Sequence, residues 1–215
     1  MTDNLDAWRG DFGREYWKRN PKTIEEMDDM YESRYGVTRT WMNEQSVTGL
    51  PWDMWICEVG CGIGLQLESL QRMWFANLVG IDPNIEAIQS AMHRTEGIHF
   101  AVRDCFDIPP VVPLMQKFDM VFTSGVLIHI PPERFMEAVN SIYNATSRYI
   151  WGFEYWSESP KEIRYHDCEG MLWKDDYPQM WQAAFPKLKL LSCQKYPHLD
   201  GSGNVDCMYL LEKTE

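Results

Sequence analysis

What this chain of 215 residues lacks excludes several classes of function. It has no run of lysine and arginine, and its formal net charge is -12. Nucleic-acid binding needs a basic face to neutralise phosphates, so this balance argues against that class, leaving only a local basic patch open. No apolar stretch approaches the roughly 20 residues of a membrane helix, and no spanning segment is expected. The opening Met1-Thr2-Asp3-Asn4 is polar and acidic, unlike a signal peptide, so a cytoplasmic location is expected. The six cysteines (Cys57, Cys61, Cys105, Cys168, Cys193 and Cys207) form no CxxC pair. Neither a zinc site nor a disulfide framework is expected, and the thiols read as reduced and mostly buried. His166-Asp167-Cys168 gathers potential ligands, but adjacent residues without distant partners rarely converge on one ion, so no metal is expected. Internal repeats, low-complexity tracts and long linkers are missing too.

What remains is an ordinary globular composition, 45% hydrophobic and 24% charged, long enough for one substantial core. The first 50 residues are rich in tryptophan, tyrosine and charge and read as a helical cover. One helix runs over 11–20 and stops at Pro21. Another is capped by Thr23, carries acids in its first turn and ends at Gly36, and a short one follows around Trp41. From Trp55 the pattern alternates. Strands are expected at Trp55–Val59, Leu78–Ile81, Ile98–Val102, Phe118–Thr123 and Tyr149–Phe153. Helices are expected at Leu65–Met73, Ile85–His93 and Glu133–Asn144. Short apolar strands alternating with helices predict an α/β fold, a parallel sheet covered on both faces. Residues 155–178 lack a clear period and read as an insertion over the site. Leu188–Lys195 and Val205–Glu212 read as two closing strands around the loop Asp200-Gly201-Ser202-Gly203. The division is therefore a cover at 1–50 and a core at 51–215, forming one domain.

The richest stretch is Ile56-Cys57-Glu58-Val59-Gly60-Cys61-Gly62-Ile63-Gly64. A β-prone run ends in an acid, and alternating glycines open a helix, as where a ligand sits against bare backbone. A dinucleotide loop wants G-x-G-x-x-G, but its third glycine position is Leu65 here. A phosphate-binding loop wants lysine beside serine or threonine, and none is present. Asp82, in Gly80-Ile81-Asp82-Pro83-Asn84, can accept both hydroxyls of a ribose. Asp104, in Arg103-Asp104-Cys105-Phe106, can accept from an adenine amino group, with Phe106 or Ile108 against the ring. Adenine and ribose without a phosphate grip point to an adenosyl cofactor lacking a pyrophosphate.

These motifs, in this order and followed by Phe118-Asp119-Met120-Val121-Phe122, resemble the S-adenosylmethionine (SAM)-dependent methyltransferases of the Rossmann-like class over about residues 50–155. The resemblance implies a seven-stranded, mostly parallel sheet with an antiparallel last strand, helices on both faces, and SAM as cofactor. It implies that Glu58, Gly60, Cys61, Gly62 and Gly64 approach the methionine part. Asp82, with Pro83 and Asn84, falls at the ribose, Asp104, Cys105 and Phe106 at the adenine, and Ser124 at the end of the fourth strand. A narrower likeness rests on Gly10-Asp11-Phe12-Gly13-Arg14-Glu15-Tyr16-Trp17-Lys18-Arg19-Asn20, Ser124-Gly125-Val126-Leu127-Ile128-His129-Ile130 and Leu172-Trp173-Lys174-Asp175-Asp176-Tyr177. Together these resemble the methylases found with pseudaminic acid biosynthesis.

Methyl transfer from a sulfonium needs alignment and exclusion of water, and a hydroxyl or ammonium acceptor must also lose a proton. His129, after the fourth strand, is either the base or an anchor of its loop. Glu154, ending the fifth strand, is either a base at the same edge or a capping acid. Tyr16 and Arg19 share a helix face. By resemblance they fold over the cofactor and hold its carboxylate; otherwise they serve in packing and a surface ion pair. The insertion offers Tyr155, Arg164, Tyr165, His166, Trp173 and Lys174, suited to a polar, acidic, sugar-like acceptor or simply to a polar loop with aromatic anchors. The expected function is O- or N-methylation of a small sugar-like or amino-acid-like molecule, nonulosonic acids included, by a monomer or homodimer. The alternatives are a non-catalytic SAM-binding sensor or partner subunit and a nicotinamide-dependent oxidoreductase.

Overall fold

The computed structural model describes residues 4–110, 116–165 and 169–214. Its centre is a seven-stranded sheet in the order β3-β2-β1-β4-β5-β9-β8. The strands are β1 (Trp55–Val59), β2 (Asn77–Asp82), β3 (His99–Val102), β4 (Phe118–Ser124), β5 (Thr146–Tyr155), β8 (Leu188–Pro197) and β9 (Val205–Lys213). The first five run parallel, and β9 lies antiparallel to both β5 and β8. From β1 the chain builds outward to β2 and β3, then returns to lay β4 on the other side. The carboxyl ends of β1 and β4 therefore flank the switch in strand order, where open α/β sheets bind ligands.

Period-2 alternation sends neighbouring side chains to opposite faces. Cys57, Val59 and Val121 pack with helices α7 (Pro132–Ala145) and α8 (Tyr177–Ala184), through Phe135, Ala138 and Trp181. Ile56, Met120 and Phe122 pack on the other face with α4 (Arg39–Val47), α5 (Leu65–Arg72) and α6 (Ile85–Arg94), through Met42, Leu67 and Ile88. Helices thus cover both faces, and the strands read as nearly continuous apolar runs.

The N-terminal cover consists of α1 (Asn4–Arg9), α2 (Asp11–Arg19), α3 (Ile24–Tyr35) and α4. Thr23 caps α3 by accepting from the Glu26 amide, and Gly36 ends it in the left-handed conformation at φ 78°. The insertion holds more order than its sequence suggests. A two-strand ladder joins β6 (Lys161–Glu162) to β7 (Trp173–Lys174), and α8 begins inside the expected irregular stretch. Asp176 caps α8 by accepting from the Gln179 amide. Among the described cysteines Cys57, Cys61, Cys105 and Cys207 are buried and Cys193 is exposed, in line with mostly buried thiols. Cys168 and His166 lie outside the described residues. No helix among the described residues is long and apolar enough to cross a membrane, and no cluster there could hold a metal ion.

Candidate active site

A cavity of about 540 Å³ lies over the carboxyl ends of β1, β2, β4 and β5, roofed by α1, α2 and α3. That volume falls within the roughly 300–1,000 Å³ usual for small-ligand sites. Its floor is the glycine loop. Gly60, Gly62 and Gly64 all adopt positive φ, at 72°, 52° and 80°. A Cβ on Gly60 would lie 2.4 Å from Val126 Cγ2, whereas one on Gly62 would meet no protein atom within 4 Å. Backbone freedom is thus needed at both positions, and at Gly62 the bare backbone adjoins open space. The amides of Gly60 and Cys61 both donate to the Ile81 carbonyl, tying the loop to β2. Gly64 caps α5 and does not line the cavity.

Asp82 also lines the cavity and is bound to that loop. Its Oδ2 accepts from the Gly62 amide at 2.9 Å, and its Oδ1 accepts from the Asn84 amide at 2.8 Å. Burial pushes its carboxyl up to about 6, against the pull of those two amides. Each oxygen keeps a further lone pair for a hydroxyl. Pro83 and Asn84 line the cavity, but the Asn84 side chain serves the fold. Its Oδ1 caps α6 and its Nδ2 donates to the Trp8 carbonyl at 3.2 Å.

Asp104 and Cys105 line the next segment. Asp104 Oδ1 accepts from the Phe106 amide, while Oδ2 receives Arg9 Nη2 at 2.9 Å. The roof helix α1 therefore latches onto the acid expected at an adenine. Cys105 is buried, and its thiol is pushed up to about 12. Phe106 does not line the cavity; its ring packs against the Arg134 guanidinium, 3.7 Å from the ring centre.

Glu58, at the end of β1, is buried and lines the cavity. Its Oε2 makes no hydrogen bond among the described residues. Burial raises its carboxyl well above the usual range, with Arg39 opposing and Asp82 reinforcing the shift. Arg39, which the sequence reading did not single out, is completely buried and donates to Asn43, Gln66 and the Tyr31 hydroxyl. Tyr31 and Gln66 carry this network to the cavity wall. An orphaned acid oxygen beside a glycine loop fits an ammonium group, and Asp82 fits vicinal hydroxyls. The residues present therefore suit the amino-acid and ribose parts of an adenosyl amino acid.

His129 lies in a short 3-10 turn, Leu127–His129, following β4. Its Nδ1 is 2.7 Å from the Met171 carbonyl, so that nitrogen carries the proton and Nε2 is the basic one. Its ring packs on Trp8 at 4.6 Å and on Tyr165 at 5.2 Å. Burial lowers its pKa to about 4, so the ring is neutral near pH 7. Ser124 and Gly125 line the cavity beside it.

Several expected site residues lie elsewhere. Glu154 does not line the cavity. Its buried carboxylate accepts from the Val126 and Ile128 amides, at 3.2 and 3.4 Å, and so anchors the loop carrying His129. Burial raises its carboxyl to about 7, while those amides and Thr123 pull it down. Arg19 is exposed and does not line the cavity, whereas Tyr16 does, with burial raising its hydroxyl. Tyr155 and Tyr165 line the cavity; Arg164, Trp173 and Lys174 do not. Lys174 is buried against the Tyr155 ring, 4.4 Å from its centre, and donates to Asn204 Oδ1. Sequence reading also missed Trp8, Arg34, Tyr35 and Asp206, all on the cavity wall.

Residues 56–148 match the model of a methyltransferase domain. Among curated proteins no sequence matches this chain. Solved structures sharing the fold include a SAM-dependent methyltransferase from Anabaena variabilis, 14% identical, with a TM-score of 0.72 over 100% of this chain and 96% of that one. Magnesium protoporphyrin IX methyltransferase from Synechocystis, with bound SAM, is 14% identical, with a TM-score of 0.68 over 100% and 99%. The 1,6-didemethyltoxoflavin-N1-methyltransferase of Burkholderia thailandensis, with 1,6-didemethyltoxoflavin and S-adenosylhomocysteine bound, is 14% identical, with a TM-score of 0.67 over 100% and 87%. At such identities the likeness is one of fold, and the fold agrees with the sheet order and antiparallel β9 described above.

Proposed function

We propose that the chain, an S-adenosylmethionine-dependent methyltransferase by its domain and fold, methylates an oxygen or nitrogen of a small polar acceptor. When bound, SAM supplies the electrophilic methyl group. The observation that carries the reading is that one cavity contains both the cofactor anchors and a polar, aromatic end. Glu58, Gly60, Cys61, Gly62 and Asp82 lie at one side, and Tyr155, Tyr165 and Asp206 at the other.

In this reading Asp82 holds the ribose hydroxyls and Glu58 holds the ammonium. Tyr16 donates to the cofactor's carboxylate in place of the exposed Arg19. Cys105 and Asp104 border the adenine. The roof of α1 and α2 excludes water, through Trp8 packed on His129 and Arg9 paired to Asp104. His129 is neutral at working pH and its Nε2 is the ring's basic nitrogen, so it can accept a hydrogen bond or proton from an acceptor. Glu154 and the Met171 carbonyl fix the loop and ring in place. A sugar-like or amino-acid-like acceptor, nonulosonic acids included, suits the mixture of tyrosines and opposite charges at the far end. The acceptor is taken up by a single chain or a homodimer.

A crystal grown with S-adenosylhomocysteine tests this reading. Adenine should lie beside Cys105, the ribose on Asp82 and the sulfur facing the space bordered by His129 and Tyr155. Density for the ligand outside this cavity, or none in crystals grown at saturation, would refute it.

A further inference from the structure

At the end of the cavity away from the glycine loop, β5 and β9 run side by side, and Tyr155 pairs with Asp206. Both line the cavity, and Asp206 is only 5% exposed. The Tyr35 hydroxyl donates to Asp206 Oδ2 at 2.7 Å, and His198 Nε2 lies 2.6 Å from the same oxygen. Among the described residues nothing bonds to Oδ1. Two donors converge on one oxygen and orient the carboxylate, leaving the other oxygen of a buried acid to be satisfied by a ligand. Lys174 lies close enough for its charge to interact with Asp206, but its ammonium is occupied by Asn204.

Arg34 lies one residue before Tyr35 on α3 and also lines the cavity. It is half-buried and makes no ion pair among the described residues. The groups acting most strongly on its charge are Tyr35, Tyr155 and Tyr31, and it acts in turn on Tyr165 and Asp200. A guanidinium in no ion pair among the described residues lines the same cavity as an oriented carboxylate with an unused oxygen, so one polar pocket offers both charges.

Building on the methyltransferase reading, we infer that the acceptor is a small zwitterion of the amino-acid or amino-sugar-acid class, its carboxylate held by Arg34 and its amino group by Asp206. Tyr35 and His198 are positioning residues that fix the Asp206 carboxylate. A neutral sugar would leave both charges unmatched, and a simple acid or simple amine would leave one unmatched. Such mismatches discriminate strongly because a buried charged partner stays unpaired.

The test is ligand-induced thermal stabilisation of the full chain saturated with S-adenosylhomocysteine. L-serine is compared with ethanolamine, which lacks the carboxylate, and with lactate, which lacks the amine. Muramic acid is compared in the same way with glucosamine and glucuronate. At least one zwitterion should raise the melting temperature beyond the cofactor product alone, and its partial analogues should raise it less. Arg34→Met and Asp206→Asn should each weaken zwitterion binding about tenfold or more, the scale of a lost charge-assisted hydrogen bond, while keeping the shift due to S-adenosylhomocysteine. If Asp206→Asn does not fold, Tyr35→Phe replaces it and should weaken zwitterion binding with cofactor binding intact; unchanged zwitterion binding in that variant overturns the inference. So do equal shifts from the partial analogues, no shift from either zwitterion, or loss of S-adenosylhomocysteine binding in Arg34→Met, which would move Arg34 to the cofactor. If S-adenosylhomocysteine gives no shift with the unaltered chain, the methyltransferase reading itself fails.

Discussion

The Gly62 amide donates to Asp82 Oδ2 across 2.9 Å, so the glycine loop after β1 and the acid ending β2 form one hydrogen-bonded unit. The other Asp82 oxygen holds the Asn84 amide at the start of α6. The acid proposed to receive the ribose therefore also shapes the cavity floor.

Asp82→Ala should lose both functions. Calorimetry should show S-adenosylhomocysteine bound at least tenfold more weakly, since hydrogen bonds to a charged group are worth roughly 1.5–3 kcal/mol. The melting temperature should fall as well, because two amides lose their acceptor. Unchanged affinity would remove Asp82 from the cofactor site.

Glu154 makes the loop before α7 sensitive to pH. Its carboxyl is raised from an ordinary 4.5 to about 7, so the folded chain holds the proton more tightly than the unfolded chain. The stability this gives is fully present below about pH 4.5 and is lost as pH rises through about 7. Asp82, raised to about 6, acts in the same direction, and His129, lowered to about 4, acts oppositely. Comparison with Glu154→Gln isolates the one group. The variant's melting temperature should gain on that of the unaltered chain as pH rises through this window, by up to roughly 1–3 kcal/mol of stability. A difference independent of pH would place Glu154 in a less buried setting.

His129 should stay neutral through the physiological range. Its depressed pKa of about 4 follows from burial, partly offset by the bond to the Met171 carbonyl. In histidine-labelled protein, NMR should show its ring in the Nδ1–H tautomer with no titration between about pH 5.5 and 8, unlike a free histidine near 6.5. Normal titration near 6.5 would mean that the ring is open to water.

The Arg9–Asp104 pair should act as a latch on α1. With side chains 49% and 15% exposed, the pair is largely solvated at the arginine, and such pairs contribute roughly 0.2–1 kcal/mol. Arg9→Ala should therefore leave the fold unchanged and speed release of S-adenosylhomocysteine by a few fold in stopped-flow measurements. A slower release would mean that Arg9 competes with the cofactor for Asp104.

The sheet was legible because its signals are local. The run Trp55–Val59 is apolar and β-prone, and its strand has those same limits. Thr23, Gly36 and the alternating glycines mark their turns by chemistry that needs no tertiary context. The sites of Asp82, Asp104 and His129 on the cavity wall followed from their places after successive strands. What was hidden depends on orientation or on distant partners. Glu154 stands at the expected edge but turns its carboxylate into the loop amides. Phe106 follows the expected acid, yet Arg134 holds its ring elsewhere. Asp206 gains its meaning from Tyr35, 171 positions away, and Arg39 from Gln66 across the gap between α4 and α5. Helix α8 escaped because it has only eight residues and begins inside a stretch without clear periodicity.

The central claim is that the cavity on the glycine loop is the cofactor site, and calorimetric titration with S-adenosylhomocysteine tests it most directly. Binding should be saturable at one site per chain and weakened by Asp82→Ala, with NADH giving no heat under the same conditions. Absence of S-adenosylhomocysteine binding, or saturable binding of NADH in its place, would contradict it.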